Sequence, residues 1–132
     1  MAQSTAEQPA RKQPGILAPM IPKQFPVTVN WKVVNIGGKA VSGDTPTLQL
    51  DKQFRMKGFS GCNTYSATAY PTARQGFAVG PIALTRKVCD KALMESEKNF
   101  LLAVRTSAQW EEKDGFLFLR GQMGEIKFQR AL

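Results

Sequence analysis

The stretch GFSGCNTYSATAY, residues 58–70, holds Cys62, one of the two cysteines in a chain of 132 residues. Its glycines match neither a Walker A sequence nor a dinucleotide-binding fingerprint. Gly58, Gly61 and Asn63 are typical of residues that supply positive φ at a bulge or a tight corner. The stretch therefore predicts a corner between two strands, and the role of its cysteine depends on the rest of the chain.

Histidine is absent from the chain, and this absence excludes several classes of site. Ser-His-Asp triads, Cys-His dyads and His-containing zinc sites all require it. Two cysteines without histidine also supply too few ligands for a structural zinc site. We therefore predict no catalytic residue, no metal site and no cofactor, and we expect that the protein is not an enzyme.

The formal net charge is +8, but Lys and Arg are spread along the chain without a long run. This pattern favours a basic soluble surface, and an anionic partner such as lipid headgroups is the alternative. No apolar run is long enough to cross a bilayer, so we predict no transmembrane segment. We expect a monomer that makes no specific contact with nucleic acid.

Residues 1–26 contain five of the eight prolines and show no periodicity. Proline at this density favours an extended, solvated chain. We predict a flexible Pro-rich leader or linker here, and we expect that a signal peptide preceding it has been removed. The folded domain is predicted to span residues 27–132.

The remaining chain consists mostly of short β-like segments. In EIKFQR, residues 125–130, Ile126 and Phe128 alternate with polar residues, as in a half-buried strand. Residues 91–106 instead combine good helix formers with an apolar stripe, and Asp90 is positioned as the N-cap. The predicted fold class is mainly β (α+β): an antiparallel sheet curled into a partial barrel, with one amphipathic helix packed against it.

Cys62 and Cys89 have three interpretations. A disulfide between them requires an oxidising compartment, whereas two buried free thiols would behave as small apolar side chains. The third is redox catalysis at Cys89, because PIALTRKVC, residues 81–89, resembles the Pro-x-x-x-Thr-x-x-Cys signature of peroxiredoxins. The interval from Thr85 to the cysteine is one residue too long for that signature, which on a helix turns the thiol about 100° away.

Two further sets of side chains also allow more than one interpretation. Glu97 interrupts the apolar stripe of the helix, where it is either neutralised by an Arg or Lys, placed at the stripe's edge, or used as a buried functional carboxylate.

Aromatic residues of a β-rich domain mostly belong to its core. Trp31, Tyr65 and Trp110 are the candidates for lining a groove instead.

Residues 28–130 resemble the META domain family of HslJ-like, heat-inducible proteins. The most specific part of the match is Gly-x-x-Gly-Cys-Asn at residues 58–63, followed by Thr-x-x-x-Cys at residues 85–89 and Glu-x-x-Phe at residues 97–100. The matching residues are Trp31, Val33, Gly58, Gly61, Cys62, Asn63, Thr85, Cys89, Glu97, Phe100, Leu117, Leu119 and Phe128. Where the family often has Met before the second cysteine, this chain has Lys87 and Val88.

The resemblance implies a small β-rich module of the bacterial envelope, associated in the family with heat stress, drug tolerance or virulence. No enzymatic activity is established for the family, and a structural role is implied for its motif residues, here Gly58, Gly61, Asn63, Thr85, Glu97 and Phe100. The fold is likened to the cracked barrels of secretion pilotins, which hold lipid or peptide. The cysteines are accordingly expected to form a Cys62–Cys89 disulfide.

We therefore predict a non-enzymatic, stress-related module that is periplasmic or secreted. Its partner is expected to be a hydrophobic ligand or an envelope protein, bound in an apolar groove between the helix and the sheet. The alternatives are thiol-redox chemistry at Cys89 and binding to anionic surfaces through the net positive charge.

Overall fold

The computed structural model describes residues 23–41 and 44–131. Most of the predicted leader, residues 1–22, lies outside this part of the chain. The described residues form ten strands, one 3₁₀ turn at Ala73–Gln75 and one α-helix, α1, at Lys91–Arg105. The strands are β1 Trp31–Ile36, β2 Lys39–Ala40, β3 Thr47–Leu50, β4 Arg55–Phe59, β5 Thr64–Thr72, β6 Gly76–Val79, β7 Ala83–Leu84, β8 Ser107–Lys113, β9 Phe116–Gly121 and β10 Gly124–Arg130.

Eight of the strands form a closed antiparallel barrel. Their order is β1-β3-β4-β5-β6-β8-β9-β10, and β10 pairs back onto β1 through the registers Ile126↔Ile36 and Arg130↔Trp31. The two short strands lie beside this circuit, with β2 paired to β1 and β7 paired to β5. The predicted mainly β fold with a packed helix is confirmed, and the pairing of the first and last strands closes the barrel completely.

The core follows from alternation along the strands. In β10, Ile126 and Phe128 are fully buried while the residues between and beside them are partly or fully exposed, as the sequence pattern predicts. The same alternation operates in β9, where Leu117 and Leu119 are fully buried. Other buried residues are Trp31, Val33, Leu48, Leu50, Met56, Tyr65, Ala67, Ala69, Phe77 and Trp110.

Helix α1 packs against the barrel through one side. Its buried residues are Glu97, Phe100, Ala103 and Val104, and the Phe100 ring lies edge-on to the Tyr65 ring at 5.8 Å between centroids. Asp90 is the N-cap, as predicted, since its carboxylate accepts a hydrogen bond of 2.8 Å from the Leu93 amide. Among the described residues, no helix combines the length and apolarity needed to cross a membrane.

The folded domain includes Phe25, which lies on the N-terminal side of the predicted domain start. The sequence places this residue in the predicted leader, yet its side chain is buried, stacked on Phe77 at 5.3 Å and edge-on to Trp110 at 5.1 Å. The chain stays attached beyond it, because the Thr28 amide donates to Leu50 O at 2.7 Å. The packed part of the chain therefore begins before the predicted domain start at Val27: a proline-rich segment without periodicity can still dock one aromatic side chain into a core.

We expect Phe25→Ala to lower the free energy of unfolding by about 3 kcal/mol, because it empties a buried aromatic site. Tyr70→Ala is the control, since Tyr70 is half exposed, and its effect should stay below about 1 kcal/mol. Chemical denaturation of both variants measures the difference. Equal losses in the two variants would contradict the assignment of Phe25 to the core.

Candidate functional site

The corner at residues 58–63 joins β4 to β5, and its three predicted positive-φ residues act in three different ways. Only Gly61 has a positive φ, of +113°, a conformation that L side chains rarely adopt. Gly58 is needed for space, because a Cβ there would lie 2.2 Å from the carbonyl oxygen of Thr47 on β3. Asn63 acts through hydrogen bonds. The corner is confirmed, and the positive-φ prediction is wrong for Gly58 and Asn63.

The Asn63 side chain connects the corner to residues 85–89. Its Oδ1 accepts hydrogen bonds from Thr85 Oγ1 at 2.8 Å and from the Lys87 amide at 2.6 Å. Its Nδ2 donates to Lys87 O and to Glu97 Oε1, both at 3.2 Å. All the donor and acceptor positions of this amide are thereby used within the protein.

Glu97 is buried on the barrel-facing side of α1, and its carboxylate is held by the corner. It accepts hydrogen bonds from Ser60 Oγ at 2.5 Å and from the Asn63 amide at 2.7 Å, in addition to the Asn63 Nδ2 contact. Burial alone raises the pKa of a carboxyl group, but here these hydrogen bonds outweigh it and hold the pKa of Glu97 below its ordinary value.

The predicted neutralisation of Glu97 by an Arg or Lys is therefore wrong. The ion pairs among the described residues join Arg120 to Glu111 and Glu125, and Arg130 to Glu112. Glu97 is instead stabilised by hydroxyl and amide donors. Gly61 allows this arrangement through its φ of +113°, which L side chains rarely adopt, and it faces the helix backbone at Glu97 within ordinary contact distance.

Cys62 and Cys89 form a disulfide, with 6.0 Å between their Cα atoms. Cys62 is buried in the corner, while Cys89 is partly exposed one residue before the N-cap of α1. The Thr85 hydroxyl, which the peroxiredoxin-like hypothesis places beside a reactive thiol, donates to Asn63 Oδ1 and accepts from the Thr64 amide at 3.1 Å. The covalent bond therefore ties the corner to the start of the helix.

Trp31, Tyr65 and Trp110 lie in the core, the position that the sequence favours for aromatic residues of a β-rich domain. Their exposed fractions are 0%, 3% and 3%. All three follow the inward side of their strands, and closure of the barrel places that side in its interior. The Tyr65 hydroxyl donates to Thr47 O at 2.7 Å, and burial raises the pKa of this phenol.

A groove of about 980 Å³ lies outside the barrel, between α1 and residues 81–84. It lies where the hydrophobic-ligand hypothesis requires, between the helix and the sheet, but with a different lining. Its apolar lining consists of Pro81, Ile82, Leu84, Met94, Leu101 and Leu102, and Cys89 contributes beside them. The charged residues along it are Lys91, Glu95, Glu97, Lys98 and Arg105.

The basic residues of this groove share one row of the helix. Lys91, Lys98 and Arg105 are seven residues apart, which is close to two turns, so the row extends about 21 Å along the axis. The prediction of a single apolar stripe does not include this second side of the helix. The signal is the sevenfold spacing of the cations, together with Met94, which lies outside the predicted stripe of Leu93, Glu97, Phe100, Leu101 and Val104.

Comparison with known proteins identifies the family. The META domain family model matches residues 25–131. The chain belongs to the META domain family. The matched range begins at Phe25, in agreement with the packing of that residue in the core. Among curated proteins, none matches this META chain.

Solved structures share the fold. A protein from Burkholderia xenovorans, solved by NMR, superposes with a TM-score of 0.63 at 21% identity, covering 92% of this chain and 98% of that one. Another NMR structure gives 0.62 at 18% identity, covering 76% and 87%. A crystal structure of a DUF4847 family protein from Bacteroides vulgatus gives 0.59 at 12% identity, covering 78% and 92%. At these identities the likeness concerns the fold alone.

We expect Glu97→Gln to destabilise the protein by about 2 kcal/mol at neutral pH, because it weakens several charge-assisted hydrogen bonds. The folded-state pKa lies below the ordinary value of 4.5. The ionised carboxylate therefore stabilises the fold above about pH 4.5, and this contribution is lost as the pH falls through the lower folded-state pKa. The stability difference between parent and variant should narrow below pH 4.5.

Denaturation across a pH series measures this effect. Glu95→Gln, on the exposed side of the same helix, is the matched control and should change stability little at any pH. A Glu97→Gln deficit that stays constant down to pH 2 would contradict a stabilising role for the charged form.

Asn63→Asp keeps the shape of the side chain but replaces its two amide donors with a carboxylate oxygen beside Glu97. We expect a loss of at least about 3 kcal/mol, because two carboxylates would face each other at a buried site and Lys87 O would lose its donor. Asn99→Asp, on the exposed part of α1, is the control. Thermal unfolding of both variants provides the measurement, and similar melting temperatures would refute the central role of Asn63.

Proposed function

We propose that the protein is a non-enzymatic binding module of the cell envelope whose groove holds the apolar part of a hydrophobic ligand. The observation that carries this proposal is the groove between α1 and residues 81–84, with its volume of about 980 Å³. Small-molecule sites typically measure about 300–1,000 Å³ and combine a mostly apolar lining with a few polar groups. The groove has this composition.

The contacts of Cys89, Thr85 and Glu97, the groups that could take part in a reaction, support binding over catalysis. The sulfur of Cys89 is bonded to Cys62, and the Thr85 hydroxyl is engaged by Asn63 and the Thr64 amide. Glu97 is occupied by donors from the corner and serves to position the helix. Each of these groups has a structural partner, which supports the proposal of a binding module.

The proposed location is the periplasm or the extracellular space. A disulfide is compatible with an extracytoplasmic protein, because such bonds persist in oxidising compartments. The stress-related role forms part of the same proposal and rests on the family resemblance. In an envelope under stress, a module of this type would sequester or carry an amphiphile.

We expect the uncharged dye N-phenylnaphthylamine to bind the groove and to fluoresce there. The double variant Leu84→Gln/Met94→Gln should weaken this binding at least about tenfold, because it replaces two apolar lining residues with amides. Both side chains are 42% exposed, so the fold should tolerate the change. Fluorescence titration of the oxidised protein measures the dissociation constant.

Met123→Gln is the matched control, since Met123 is 53% exposed and does not line the groove. It should bind the dye as the parent does. If the parent protein fails to bind the dye, or if the control and the double variant weaken binding equally, the ligand-binding proposal is wrong.

A further inference from the structure

Exposed apolar side chains are concentrated near the start of α1. The large apolar side chains that are exposed among the described residues are Phe54, Tyr70, Leu84, Val88, Met94 and Met123. Three of them, Leu84, Val88 and Met94, fall within eleven consecutive residues. Val88 is the most exposed of all, at 82%.

Val88 is held outward by the structure on both sides of it. The preceding residue, Lys87, is fixed through its amide and its carbonyl by the Asn63 side chain. The following residue, Cys89, is fixed by the disulfide. An apolar side chain between two such anchors cannot turn inward without breaking one of them. Residues 86–88 therefore form an exposed tip whose backbone is anchored at Lys87 and at the adjoining Cys89.

The tip is basic as well as apolar. Arg86 and Lys87 are exposed on it, and the row Lys91, Lys98 and Arg105 continues from it along the helix. Among the described residues, none of these five cations forms an ion pair. The exposed carboxylates of the same region are Asp90, which caps the helix, and Glu95. Cations are therefore in excess.

We infer that the tip docks on an anionic phospholipid bilayer, with Val88 entering the interface beside Leu84 and Met94 while the cations contact lipid phosphates. A single short apolar anchor binds a membrane weakly, and basic residues next to it supply the second attraction that stable binding requires. An exposed tip also suits a fluid surface, which needs no complementary pocket. The excess of unpaired cations complements the negative surface of such a bilayer.

The membrane contact shares part of its residues with the groove, but the tip itself lies outside the groove. The side chains of Arg86, Lys87 and Val88 do not line the groove, whereas Leu84, Met94 and Lys91 do. Docking through the tip would therefore bring the groove to the lipid surface without filling it. The inference goes beyond the proposed function and remains testable if the groove binds no ligand.

Vesicle co-sedimentation of the oxidised protein tests the inference. The parent should bind vesicles that contain phosphatidylglycerol, bind pure phosphatidylcholine vesicles far less, and be released by salt. Arg86→Glu/Lys87→Glu should reduce the partition coefficient on anionic vesicles at least about tenfold. Val88→Ser, which keeps every charge, should reduce it about threefold or more.

Lys52→Glu/Arg55→Glu is the matched charge control, because both side chains are exposed in the β3–β4 region next to the exposed Phe54 and Tyr70. It changes the net charge equally and should retain most of the binding. N-phenylnaphthylamine titration and thermal unfolding of each variant confirm that fold and groove are intact. If the charge-reversed tip impairs folding, Arg86→Gln/Lys87→Gln replaces it.

Three results would overturn the inference. The parent protein fails to bind anionic vesicles. The control double variant loses as much binding as the tip variant, so that net charge alone is responsible. Val88→Ser binds anionic vesicles as well as the parent does, and reversing the charges of Arg86 and Lys87 weakens binding to heparin as much as binding to vesicles. This result would indicate that the cations bind a soluble polyanion instead of a bilayer.

Discussion

The buried carboxylate of Glu97 is the constraint on which the arrangement of barrel, helix and loop depends. A charge removed from water needs donors in place of its hydration, and the corner at residues 58–63 supplies them from Ser60 and Asn63. Three consequences follow locally. The corner must bend at Gly61, it must approach the helix closely, and Asn63 must face α1. The helix is therefore positioned by a polar cluster as well as by the apolar contacts of Phe100.

Asn63 connects the buried carboxylate of Glu97 to residues at the surface. One end of its amide serves Glu97, and the other end holds Thr85 and Lys87, so the chain leading into α1 is fixed relative to the corner. The Cys62–Cys89 disulfide adds a covalent tie across the same gap. With the helix turned so that Glu97 and Phe100 face inward, its second side is left beside residues 81–84. The groove and the exposed position of Val88 are both results of this anchoring.

The sequence pattern predicted those elements whose structure depends on residues close to one another in the chain. The helix and its Asp90 cap follow from periodicity and capping, and the alternation in β10 placed Ile126 and Phe128 correctly in the core. Closure depends on β10 pairing with β1, residues that are far apart in sequence, and no local pattern encodes that contact. The inward position of Trp31 and Trp110 depends on the closure. Likewise, the donors around Glu97 come from residues more than thirty positions away. Because the sequence does not reveal those donors, neutralisation of Glu97 by an Arg or Lys is the simpler expectation.

Closure of the barrel also determines where a ligand can bind. Trp31, Phe128 and the leucines of β9 fill the interior at essentially zero exposure, and Phe25 packs between Phe77 and Trp110. A well-packed core of this kind accepts no additional molecule without displacing its own side chains. The proposed ligand would therefore bind on the outside, where a 15-residue helix has more apolar surface than the barrel covers. Met94 belongs to this remainder, and the cations at residues 91, 98 and 105 make its surroundings suited to the proposed amphiphile with a negative group.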